Sequence, residues 1–221
     1  MKFEHTEVWG FEHAIRGCRN PLESWNKSDS KYIDIESEEG IELQSKGIYY
    51  IIGSNDLQLA QTLIRAGSEH RKFLRQIFVS VDITAPLYWW KEFDTYKVGT
   101  VSNSTSTMHK LASTPITIDC FEMGNFEDLR LFDISTVWES LIFDLERLRK
   151  LYNETKDKHY WKELIRLLPE SWLQKRTITM SYENILNMYQ QRKNHKLTEW
   201  SKSFYDWVKT LPYAEELICL E

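Results

Sequence analysis

Between Ile77 and Asp94 the apolar pattern changes period at a single point, and that change limits the folds open to the chain. Ile77, Val79, Val81 and Ile83 alternate with Phe78, Ser80, Asp82 and Thr84, which places one set on each face of a strand. Ala85-Pro86 ends the alternation. A proline fits the first position of a helix, where its missing N–H costs nothing. Leu87, Trp90, and Phe93 or Asp94 then follow at helical spacing. A one-faced strand that runs straight into an amphipathic helix calls for a sheet with helices packed on it.

The flanking sequence extends this picture. Residues 23–31 are polar and loop-like. Tyr32 to Ser37 alternates, Gly47 to Gly53 reads GIYYIIG, and Glu38-Glu39-Gly40 between them is a turn signal. Together they predict a hairpin or two neighbouring strands. A helix follows, with Ser54, Asn55 or Asp56 at its start, an apolar face of Leu59, Ala60, Leu63 and Ile64, and Gly67 beyond its end. After the middle of the chain the spacing becomes helical. Val137, Trp138, Leu141, Ile142, Leu145, Leu148 and Tyr152 predict a long helix near Ser135 to Tyr152. Shorter helices are predicted over Tyr160–Leu168, Tyr182–Arg192 and Leu197–Leu211. The expected class is α+β: an early antiparallel sheet with packed helices, then a helical C-terminal half, in a single domain over residues 1–221.

Composition excludes several classes. The net charge of −5 argues against a whole-surface attraction to nucleic acid. No apolar run approaches the roughly 20 residues of a membrane helix, and Lys2, Phe3, Glu4 and His5 do not begin a secretory leader. The three cysteines, Cys18, Cys120 and Cys219, share no metal or redox spacing, so a reducing cytoplasm and no metal are expected. His70 and His109 are each isolated from other ligand types.

The order of strand, Ala85-Pro86, aromatic helix and hydroxyl-rich loop, spanning Val79 to Leu111, resembles the central segment of the flavin-dependent thymidylate synthases. In that family the helix runs into a signature of Arg-His-Arg followed by Ser, Asn, Ser and Arg. Here the triplet falls on Thr95-Tyr96-Lys97, and the later positions fall on Thr100, Ser102, Thr105 and Thr107. A helix glutamine that contacts the nucleotide falls on Glu92. The family's Gly-His-Glu falls on Gly67-Ser68-Glu69. Leu168-Pro169 resembles the Leu-Pro after a nucleotide-binding arginine, and Arg166 sits one residue off that arginine's place, turned by roughly 100° on a helix. Asn187 falls on a flavin-contacting asparagine and Arg192 on the arginine that holds the uracil nucleotide.

The resemblance therefore implies Tyr96, Lys97 and Asn187 as cofactor contacts. It implies Glu92, Ser102, Thr105, Arg166 and Arg192 as contacts to a nucleotide such as dUMP. It also implies FAD as cofactor and a homotetramer; no catalytic residue is assigned. The departures have a physical meaning. Arginine binds phosphate oxygens through a planar fork, whereas Thr95 and Thr107 bring no charge and Lys97 brings only a point charge. The expected function is a divergent nucleotide- or flavin-binding relative that has lost standard dUMP methylation. The alternative is a non-catalytic protein on the same fold that sequesters or senses a ligand or scaffolds a partner.

Plainer readings stand beside these. Arg192 can be a solvated helix-end cation near Lys193 and Lys196, and Asn187 an exposed helix position. Thr100 to Thr107 can be a polar connection. Trp89-Trp90 reads as a core pair, Cys18 and Cys120 as small buried apolar residues, and Asp144, Glu146, Arg147, Arg149 and Lys150 as a solvated helix face.

Overall fold

The computed structural model describes all residues except Lys46, residues 125–133 and Glu221. The chain begins with β1 (Lys2–Trp9) and α1 (Phe11–Arg19). β2 (Lys31–Tyr32), α2 (Glu38–Ser45), β3 (Tyr50–Ile51) and α3 (Ser54–Arg65) follow. The central segment is β4 (Phe78–Pro86), α4 (Leu87–Phe93), β5 (Val101–Ser104) and α5 (Thr107–Lys110). Beyond it lie α6 (Ile134–Thr155), α7 (Lys158–Leu167), β6 (Leu173–Ser181), α8 (Tyr182–Arg192), α9 (Tyr205–Val208) and α10 (Ala214–Leu217). The principal sheet is antiparallel and ordered β1-β4-β6-β5. The mixture of sheet and helix matches the expected α+β class. No helix of the described residues is long and apolar enough to cross a membrane.

The period change sits where the sequence puts it. Val79, Val81, Ile83 and Ala85 are buried along β4, and α4 starts immediately afterwards. Pro86 is one position earlier than expected, at the N-cap with extended backbone. At the start of α4 the N–H groups of Leu87 and Tyr88 donate to the carbonyls of Trp172 and Glu170.

Several local expectations need correction. Lys31 pairs with Ile51 and Tyr32 with Tyr50, so neighbouring strands exist, but they are short. Glu38-Glu39-Gly40 opens α2 and is not a turn. The Ser37 hydroxyl accepts from the Gly40 N–H at 3.0 Å, and a Cβ on Gly40 would lie 1.9 Å from the Asp34 carbonyl oxygen. That glycine is demanded by close approach, not by a turn. The hydroxyl-rich stretch from Thr100 to Thr107 is not a loop: it forms β5 and enters α5. Finally, the C-terminal half contains β6 besides its helices, and the helix expected over Leu197–Leu211 is a π-helical segment, Glu199–Phe204, followed by α9.

By its contacts the chain divides into two compact units. The first comprises Met1–Lys2, Ile83–Thr95 and Asn103–Arg176. Its helical part packs around Leu111, Ile116, Phe121, Leu145 and Leu164. Trp89 and Trp90 are fully buried, as read from the sequence, and Trp90 Nε1 donates to the Gln174 carbonyl at 3.0 Å. The Glu146–Arg149 face of α6 is not simply solvated. Glu146 accepts from the Ile116 N–H at 2.9 Å, and Arg149 donates to the Ala112 carbonyl at 3.2 Å. The Arg149 guanidinium bound to it holds the Glu146 carboxyl at about 2.

The second unit comprises Phe3–Asp82, Tyr96–Ser102 and Thr177–Glu221. Its core is aromatic as well as aliphatic. Phe3 stacks on Trp207 at 4.8 Å, and Phe11 meets Tyr182 edge-on at 5.7 Å. Cys18 is buried, as expected, and burial pushes its thiol up to about 12. Cys120, in the first unit, is half-buried.

Candidate functional site

Within the second unit, α8 gathers the best-kept of the expected positions. Its start is secured by a capping box: the Ser181 side chain accepts from the Asn184 N–H, and the Asn184 side chain accepts from the Ser181 N–H. Asn184 has a second task. Its amide donates to the Val98 carbonyl at 2.8 Å, which fixes the segment from Tyr96 to Gly99 against the helix. Gly99 has a φ of +78°, and a Cβ there would lie 3.2 Å from the Asn184 amide oxygen, so a bulkier residue would disturb this docking.

At the other end of α8, Arg192 Nε donates to the Tyr96 hydroxyl at 2.9 Å. Tyr96 in turn donates to Gln191 Oε1 at 2.9 Å. The guanidinium carbon lies 5.3 Å from the centre of the Tyr96 ring and 4.9 Å from that of Trp200. Trp200 is fully buried in the π-helical segment. Arg192 is therefore a half-buried cation held on two aromatic rings, and not a solvated helix-end charge.

Asn187 faces a different neighbourhood. Its Oδ1 accepts from Arg71 Nη2 at 2.8 Å. Arg71 also pairs with the buried Glu183 at 3.7 Å, while its Nε is buried without a hydrogen bond. Arg75 closes the cluster from the solvent side through a bond to Glu183. Asn187 and Arg192 thus serve separate groups of partners, as five residues of helix, about 140° around the axis, require.

The remaining expected contacts divide between the units. Lys97 is exposed in the docked segment, and Ser102 is exposed on β5 of the second unit. Glu92, Thr105 and Arg166 belong to the first unit. There the Glu92 carbonyl accepts from the Thr95 hydroxyl, the Thr105 carbonyl accepts from Gln174 Nε2, and the exposed Arg166 pairs with Glu163 one turn away on α7. The structure thus joins Tyr96 directly to Arg192 and fixes the segment bearing Lys97 to α8.

Sequence reading missed Arg71, Glu183, Asn184 and Trp200. Arg71 and Arg75 do stand at i,i+4 spacing, the one signal that two cations share a face there. Nothing in the sequence announces that both meet a glutamate more than a hundred residues later.

No family model matches the chain, and no curated protein matches it. Two solved structures align with it nearly end to end. One is a crystal structure of the flavin-dependent thymidylate synthase of Helicobacter pylori complexed with FAD and dUMP: TM-score 0.63, 17% identity, 100% of each chain covered. The other, of the same enzyme with FAD and dUMP, gives TM-score 0.63 and 18% identity over 97% of each chain. This full-length superposition gives the fold: the chain has the fold of the flavin-dependent thymidylate synthases.

Proposed function

We propose that this chain is a nucleotide-binding protein on the thymidylate synthase fold that does not carry out standard dUMP methylation, and that it works as a homo-oligomer. The observation that carries this reading is the hold of Tyr96 and Trp200 on Arg192. By the sequence resemblance, Arg192 falls on the family's nucleotide-holding arginine and Tyr96 on the signature histidine. A guanidinium held against two aromatic rings and a tyrosine hydroxyl is preorganised for an anionic group. Lys97, beside Tyr96, adds an exposed point charge.

The Helicobacter structures contain FAD, whose two phosphates call for several forked or charged donors. The residues present here do not fit that demand. The Thr95 hydroxyl is bound to the Glu92 carbonyl, Tyr96 is committed to Arg192 and Gln191, and Asn187 accepts from Arg71. Lys97 is the charge that remains at the triplet. No flavin-dependent step is assigned to this chain.

Purified protein should therefore be colourless near roughly 450 nm, where bound flavin absorbs. It should bind dUMP or UMP in calorimetry and fail to form dTMP when given reduced flavin and a folate one-carbon donor. Robust dTMP formation would overturn the proposal. A second reading, a scaffold without a small-molecule ligand, is favoured by one fact: Asn184, Asn187 and Tyr96 all hold other segments of the protein itself. Nucleotide affinity unchanged in both Arg192→Ala and Lys97→Ala, or no binding at all, would select it.

A further inference from the structure

Away from α8, the second unit holds a cavity of about 350 Å3 lined by Glu12, Arg16, Arg19, Trp25, Ser28 and Tyr50. Arg19 forms part of its wall and is 5% exposed. Its Nε donates to Asp56 Oδ1 at 2.5 Å, and its Nη1 reaches the Ser24 carbonyl at a long 3.4 Å. Nη2 has no hydrogen-bond partner among the described residues. A guanidinium has five N–H donors, so the side of Arg19 that Asp56 and Ser24 leave unbonded, open to the cavity, can still take an acceptor.

Asp56 cannot take up that capacity, because its other oxygen is crowded. Oδ2 accepts from the Ser28 and Ser30 hydroxyls, each at 2.6 Å, and from the N–H groups of Asp29 and Ser30 at 3.3 and 3.2 Å. Glu12 is also occupied, accepting from the Tyr32 hydroxyl at 2.7 Å. Arg16 is exposed one helical turn before Arg19. The Trp25 indole is 47% exposed at the cavity, its Nε1 tied to Asn20 Oδ1 at 2.9 Å, which fixes the ring and leaves its face available.

We infer that this cavity is a binding site for a small aromatic carboxylate, its carboxylate on Arg19 and Arg16 and its ring against Trp25. A carboxylate matches the planar fork of a guanidinium with two parallel bonds. Glu12 and Asp56 balance Arg16 and Arg19, so a ligand of one negative charge is opposed less than a doubly charged phosphate would be. The volume is at the lower end of small-molecule pockets, the size of a one- or two-ring compound. Nothing in this site depends on the nucleotide reading of α8.

The test is titration of the full chain with benzoate, phenyl phosphate and acetate, followed by calorimetry and by the Trp25 contribution to fluorescence. Benzoate should saturate at roughly millimolar concentration, as befits so small a ligand, and should bind at least tenfold more tightly than acetate or phenyl phosphate. Arg16→Gln and Trp25→Ala alter exposed side chains and should keep the fold; each should weaken benzoate at least fivefold. Arg19→Lys should abolish it in protein whose circular dichroism is unchanged. Lack of saturable benzoate binding would overturn the site, as would unchanged affinity in both Arg16→Gln and Trp25→Ala. Equal affinity for acetate would remove the ring from the proposal, and tighter phenyl phosphate would remove the carboxylate.

Discussion

Asp56 is 1% exposed and joins the loop before β2 to α1 through Arg19, Ser28 and Ser30. Burial alone would raise its pKa, but the Ser28 and Ser30 hydroxyls and Arg19 outweigh it and hold the carboxyl below its ordinary 3.8. Asp56→Ala strands the Arg19 guanidinium without its counter-charge, so urea unfolding should show a loss of about 3–5 kcal/mol. Glu146 behaves similarly in the other unit, lowered from 4.5 to about 2. A depressed carboxylate stabilises the fold above its unfolded pKa and loses that contribution as pH falls through the folded value. Acid unfolding should therefore steepen between pH 4.5 and 2, and Glu146→Gln should remove that component; an unaltered acid profile would show that the Arg149 pair contributes nothing. At Arg192 the decisive substitution is Tyr96→Phe. It keeps the ring beneath the guanidinium and deletes the hydroxyl, so it should cost about 0.5–1.5 kcal/mol of stability.

At the scale of elements, α3 is capped by a residue far from it in sequence. Gly53 stands at the N-cap and offers no side chain. The Asp29 carboxylate accepts instead from the N–H groups of Asn55 at 2.9 Å and Asp56 at 3.1 Å. Asp29→Ala should destabilise the protein by about 1 kcal/mol, the usual effect of losing an N-cap, and amide exchange should quicken first in the opening turn of α3. Uniform acceleration across the unit would contradict a local role. This cap also shows why the sequence was legible only in part. It offered Ser54, Asn55 or Asp56 as caps because those are adjacent, whereas the actual donor of the carboxylate arrives through tertiary packing. The β4–α4 junction was readable because its period changes within a few residues. β5 was not, because Val101 to Ser104 are all exposed and show no apolar face. In β6 the inward positions begin with Gln174 and Arg176 before Ile178 and Met180, so the alternation is too short to register. The site follows the same rule: resemblance picks out positions on α8, but the Tyr96–Arg192 bond joins residues 96 apart. A π-helical turn that brings Trp200 beneath Arg192 leaves no periodic trace.

At the scale of the whole molecule, the surface retains large apolar side chains. Leu22 is 85% exposed, Val98 84%, Phe143 67% and Val137 64%. Scattered singly, such residues are ordinary; in the proposed homo-oligomer, those that fall at subunit contacts would be buried. Closed symmetry would bury the same residues on each copy. The homo-oligomer proposed above would be a tetramer if the sequence resemblance holds for assembly as well. Sedimentation at micromolar concentration should then give a species at a multiple of 26.5 kDa, fourfold for the tetramer. Its stability should rise with protein concentration, because association stabilises only the folded chain. The concentration dependence separates association from mere elongation of a monomer, which slows sedimentation without changing the melting temperature. A single 26.5 kDa species whose melting temperature ignores concentration would exclude the oligomer. It would also require the nucleotide proposed for Arg192 and Lys97 to bind within one chain.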